Sequence, residues 1–151
     1  MSHTFSPDQQ VAEWLAEFDR GLASGDAHAV TGLFREDALW RDIVSFTWNI
    51  HTAEGLAAIG RLVDACATET APHRFTADAG AARMTNGIVE SEFTFETKVS
   101  RGRGIVRLVD GRCWTLLTAM VELKGHEEQI GRLRPLVAPS AYRPGRQTWL
   151  A

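Results

Sequence analysis

From His73 onward, apolar residues stop recurring every third or fourth position and begin to recur every second, and glycine-bearing pairs punctuate the new pattern. Asn86-Gly87 lies between Met84 and Ile88, Arg101-Gly102 between Val99 and Ile105, and Asp110-Gly111 between Val109 and Cys113. Asn-Gly and Asp-Gly tolerate positive φ at both centres of a tight hairpin turn, so the pattern predicts an antiparallel meander of about four strands. In the second of these, Val89, Ser91, Phe93, Phe95 and Thr97 share one face and Glu90, Glu92, Glu96 and Lys98 the other. The last strand is apolar on both faces, with Trp114, Leu116, Thr118 and Met120 opposing Thr115, Leu117, Ala119 and Val121. Such a strand needs cover on both sides, which predicts helices on one face and a second subunit on the other, hence a homodimer.

Ahead of that switch the period is helical. Ser6-Pro7-Asp8-Gln9 carries a capping-box pattern, and Val11, Trp14, Leu15, Phe18 and Leu22 form one apolar face that stops at Ser24-Gly25. Asp26 caps a short second helix in which Val30, Leu33 and Phe34 face inward, and Arg35-Glu36-Asp37 leads to a strand at Ala38. Thr52-Ala53-Glu54-Gly55 reads as a turn and cap before a third helix, with Leu56, Ile59, Leu62, Val63 and Cys66 on one face, ending before Pro72. Gly125 ends the meander, and residues 125–151, rich in Pro and Arg, read as an extended arm. The expected architecture is α+β: a curved antiparallel sheet around three helices, with one open mouth, in a single domain spanning residues 1–151.

Composition narrows the function classes. A net charge of -3 gives no basic field for nucleic acid or an anionic membrane surface. No apolar run approaches the ~18 residues of a membrane span, and Met1-Ser2-His3-Thr4 lacks the features of a signal peptide, so a cytoplasmic location is expected. Cys66 and Cys113 have no metal-ligand spacing and read as small buried hydrophobes, with no metal and no cofactor expected.

The chemistry is expected between Ala38 and His51. In a strand, Trp40 and Asp42 point to one face and Arg41 to the other, which sets a carboxylate beside an indole. On an apolar concave wall desolvation disfavours the charged carboxylate and equips Asp42 to trade a proton as a general acid/base; a carboxylate hydrogen-bonded to a nearby loop is the alternative. His51 is the candidate second acid or base, with a surface residue at the strand end as the alternative, and His73 is a weaker candidate. Trp14, Phe18, Trp40, Phe46, Trp48, Phe93, Phe95 and Trp114 exceed what a small core needs, so some are expected to line a ligand pocket.

The element order, with Gly25-Asp26, the Leu33-Phe34-Arg35-Glu36-Asp37-Ala38 run and Trp40-Arg41-Asp42, resembles the nuclear transport factor two-like (SnoaL-like, cystatin-like) cone fold over roughly residues 7 to 124. That family includes steroid isomerases, scytalone dehydratase, limonene epoxide hydrolase, polyketide cyclases and binding-only domains. The resemblance puts Asp42 at the position of the isomerases' general base, while their oxyanion Tyr falls on Phe18 and their second Asp near Gly104. A closer likeness is to the N-terminal domain of some bacterial flavin-containing monooxygenase-like proteins. It rests on Trp40-Arg41-Asp42 with Phe46-Thr47-Trp48, on Arg107-Leu108-Val109-Asp110-Gly111-Arg112 with Trp114 to Thr118, on Glu122 to Glu127, and on Arg143 to Leu150. It implies a flavin-dependent oxygenase as partner. Arg101-Gly102-Arg103-Gly104 lacks the third glycine of a dinucleotide fingerprint, so no flavin or nicotinamide is expected on this chain itself.

Two readings follow. One is a domain that binds an apolar small molecule in an aromatic pocket. The other is a small lyase, isomerase or polyketide-cyclase-type enzyme working through Asp42.

Overall fold

The computed structural model describes residues 5–134. Helix α1 runs Pro7–Ser24 with the capping box formed at Ser6 and Gln9, and Gly25 closes it at φ 67°. Asp26 accepts from the backbone N–H groups of His28 and Ala29 and starts α2, Ala27–Thr31. Strand β1, Phe34–Ile43, begins earlier than the apolar pattern predicts, because Gly32 ends α2 and Phe34 pairs with Cys113. Strand β2 covers Ile50–Glu54, so residues read as a turn before the third helix are strand, and α3 begins directly at Gly55 and runs to Thr70.

Five strands follow: β3 (His73–Thr76), β4 (Arg83–Thr85), β5 (Ile88–Glu96), β6 (Ser100–Val109) and β7 (Arg112–Leu123). The sheet order is β2-β1-β7-β6-β5-β3, with β4 beside β5; β1 and β7 run parallel and the other pairs are antiparallel. Asn86-Gly87 and Asp110-Gly111 turn their hairpins with φ of 52° and 77°, then 51° and 77°, as their chemistry demands. The β5–β6 turn sits at Thr97–Ser100 instead of at Arg101-Gly102. Thr97 donates its N–H to the Ser100 carbonyl at 2.8 Å, and Gly102 lies inside β6 opposite Phe95. The reason is spatial: the Phe95 and Phe93 rings lie across Gly102 and Gly104, where a Cβ would collide with them.

Helices α1 and α3 pack on the concave face of this curved, open sheet. Their buried residues, among them Trp14, Leu15, Phe18, Ile59 and Val63, close on Phe34, Trp40, Phe93 and Phe95 from the strands. Beyond Arg134 the expected arm, with Arg143, Arg146 and Trp149, lies outside the described residues.

Candidate functional site

Asp42 is fully buried, and four donors converge on it. Its Oδ2 accepts from the Phe46 N–H, the Thr47 N–H and the Thr47 hydroxyl, each at 2.9 Å. Its Oδ1 accepts from the Thr118 hydroxyl at 2.8 Å, and Thr118 in turn accepts from the Trp40 indole N–H at 2.9 Å. Strand register explains this: Asp42 lies beside Thr118 on β7, and Trp40 shares its face two residues back. The carboxylate thus ties β1, β7 and the 44–49 turn together. That turn is costly on its own, since Val44 and Trp48 hold φ of 67° and 56°, and positive φ is a genuine outlier for a β-branched residue such as Val44. A Val44 N–H bond to the Asn49 carbonyl at 2.9 Å and the bonds to Asp42 hold it in place.

The register also places His51 directly across from Asp42, on the same face, so the two candidate acid–base residues are neighbours. His51 is exposed and opens onto a cleft of about 660 Å³ between the turn, β2 and α3. Thr47, Asn49, His51, Thr52 and Glu54 line it from the turn and β2, and Ala58, Arg61, Leu62, Ala65 and Cys66 from one side of α3. The size falls within the roughly 300–1,000 Å³ of small-molecule sites. Burial, then the charges of Asp42 and Glu69, push the Cys66 thiol up, so Cys66 lines the cleft as a neutral thiol.

The aromatic residues are arranged differently from the expected pocket lining. Trp14, Phe18, Trp40, Phe46, Phe93 and Phe95 are buried and pack ring on ring, with centroid separations of 4.8 Å for Trp14–Phe18, 5.5 Å for Phe18–Trp40, 5.2 Å for Trp40–Phe46 and 5.8 Å for Phe46–Phe95. They fill the interior of the cone, at separations typical of favourable aromatic pairs. Trp114 is half-buried, and Trp48 is 59% exposed on the turn between Thr47 and Asn49. His73 stands apart at the start of β3, its Nδ1 2.8 Å from the Ala71 carbonyl oxygen.

Arg61 and Thr118 escape the sequence reading, while Thr47 and Asn49 fall inside the 38–51 stretch without being singled out. Thr118 had a signal, as a hydroxyl on a strand otherwise apolar at alternate positions; for Arg61 there was none, because an exposed helical arginine is ordinary. Among the described residues, no group of three or more His, Cys, Asp or Glu is placed to hold a metal ion, and no helix is long and apolar enough to cross a membrane.

No protein-family model matches the chain, and no curated protein sequence does. Solved structures do. A cystatin-like domain of unknown function from Nostoc punctiforme superposes with a TM-score of 0.61 at 12% identity, over 79% of this chain and 80% of that one. A nuclear transport factor two-like protein with a cystatin-like fold from Novosphingobium aromaticivorans gives 0.54 at 19% identity, over 76% and 82%. A candidate isomerase from Bacillus subtilis gives 0.57 at 20% identity, over 78% and 90%. The helical layer on a curved, open sheet and these superpositions agree: the chain has the nuclear transport factor two-like, cystatin-like α+β fold.

Proposed function

We propose that this protein is a small-molecule-binding domain of the SnoaL-like kind, working in the cytoplasm, whose ligand occupies the cleft between the 44–49 turn, β2 and α3. The observation that supports it is the cleft itself: polar groups of the turn and β2 on one side, a helix face carrying Arg61 among Ala58, Leu62, Ala65 and Cys66 on the other, and a strained turn pinned beside it. Backbone strain of this kind costs of order 1–3 kcal/mol per residue and clusters at binding sites. Thr47 and Asn49 reach the cleft from that turn, and the buried Phe46 ring anchors the turn to the core. A screen of small organic molecules by amide NMR should move Thr47, His51, Ala58 and Leu62 resonances together. Hits that move only Ile105 and Leu117, on the outer face, would sink the assignment.

Turnover is the second reading, favoured by the register that pairs Asp42 with His51. Here Asp42 would act as general acid/base on a lyase, isomerase or cyclase substrate, reaching the cleft by way of the Thr47 hydroxyl. Its test opens the Discussion.

Two associations belong to the same proposal. The outer sheet face carries exposed Leu39 and Val121 and a shallow depression of about 320 Å³ lined in part by Leu39, Ile105 and Leu117, and a second copy covers it. A flavin-dependent oxygenase is the protein partner, on the likeness of the stretches quoted above. Sedimentation at micromolar concentration should give a dimer, and a heavier species once the oxygenase is added. A monomer, or a dimer unchanged by the oxygenase, counts against each in turn.

A further inference from the structure

The cleft's wall is richer in donors than in acceptors, and its two rows of helix residues differ in kind. Arg61 and Ala65, one helical turn apart, form an exposed outer row; Leu62 and Cys66 form a buried and half-buried inner row. Arg61 makes no ion pair with another described residue. Across the cleft, Asn49 uses its Oδ1 to accept the Ile50 N–H at 2.8 Å, which leaves both Nδ2 hydrogens as donors.

We propose that the cleft takes a small organic acid, its carboxylate held by the Arg61 guanidinium with the Asn49 amide and its apolar body laid against Leu62 and Cys66. This rests on the cleft being the binding site and names the ligand class it selects. A planar guanidinium matches a carboxylate with two parallel bonds, an arrangement a neutral head group cannot reproduce.

Three acidic groups oppose an anion here, and their positions decide where the head goes. The charges of Asp42 and Glu69 reach the inner end, where both act on Cys66, so a carboxylate is disfavoured there and an apolar body is not. Glu54 also lines the cleft, but it caps α3 seven residues before Arg61, about 10 Å along the axis. That is about one screening length at physiological salt, and Glu54 faces the positive end of the helix. The outer row at Arg61 is the remaining place for negative charge.

Three probes of one shape separate the outcomes: 3-phenylpropanoate, 3-phenylpropanol and 3-phenylpropylamine, titrated by amide NMR. The acid should bind about ten-fold tighter than the alcohol, with the amine weakest. Arg61→Gln, on an exposed helix position where the fold tolerates it, should abolish the preference, bringing the acid-to-alcohol affinity ratio to about one. Arg61→Lys should keep part of it. Equal binding of acid and alcohol, preference for the amine, or an acid preference that survives Arg61→Gln overturns the inference and leaves the cleft standing as a site. If none of the three moves cleft resonances, the site assignment falls with it.

Discussion

Asp42→Asn should lower the unfolding free energy by about 1–3 kcal/mol, read from urea denaturation at neutral pH. The shape is preserved, so the effect isolates the charge and the acceptor count. An ionised carboxylate accepts all four bonds that reach Asp42; an amide has one oxygen and a nitrogen that donates. If the oxygen faces Phe46 and Thr47, the nitrogen faces Thr118, whose oxygen then accepts from both the amide and the Trp40 indole while its own proton loses its partner. The bonds that survive change from charge-assisted to neutral and weaken. Asp42→Ala should cost more, because it strands two backbone N–H groups and a hydroxyl beneath the sheet, whereas at present no buried side-chain polar atom among the described residues lacks a partner. The turn should loosen as well, since Val44 and Trp48 keep their positive φ only while the turn is pinned. An Asp42→Asn protein as stable as the parent would mean that the carboxylate is not needed as an acceptor, and the general acid/base reading would gain. A clear loss of stability, with ligand binding in the cleft retained, assigns Asp42 to architecture.

Much of this arrangement was legible in the residues. The two hairpin glycine pairs, the capping box and the apolar face of the first helix each carry local chemistry that fixes local geometry, and each formed as expected. The face shared by Trp40 and Asp42 followed from strand periodicity alone, and the neighbouring His51 came out of the register. What periodicity does not carry is which strand lies beside which. The parallel pairing of β1 with β7, 76 residues apart at the Thr118–Asp42 bond, supplies the hydroxyl that completes the Asp42 network. The aromatic residues show the same limit. Their number pointed to a pocket, but whether a ring lines a void or fills it depends on what stands opposite, and here other rings do, with glycines opposite Phe93 and Phe95. Arg101-Gly102 was misread as a turn for that reason: the pair has turn chemistry, and the glycine serves a ring on the next strand.

Gly104→Ala should destabilise the protein by about 3 kcal/mol, at the upper end of overpacking penalties, and by more than Gly102→Ala. Neither glycine is at positive φ, so backbone freedom is not the issue, and in an open strand alanine would be the more stable choice by roughly 0.5–1 kcal/mol. The sign is reversed by what the new methyl meets. At Gly102 it meets only ring atoms of Phe95, which can tilt at some cost to their stacking on Phe46 and Phe75. At Gly104 it meets the Phe93 ring and also the backbone carbonyl oxygen of Leu117, which the β6–β7 ladder holds in place. The two sites therefore separate in double variants. Adding Phe95→Leu should recover part of the Gly102→Ala loss, while adding Phe93→Leu should recover little of the loss at Gly104, because the carbonyl remains. Thermal melts of the four proteins decide it; a Gly104→Ala protein that melts with the parent would show that the interior has slack. Slack there would mean that the Phe93 and Phe95 rings can move aside, reopening the cone interior as a second place for a ligand. A tight interior confines small molecules to the cleft beside Asp42.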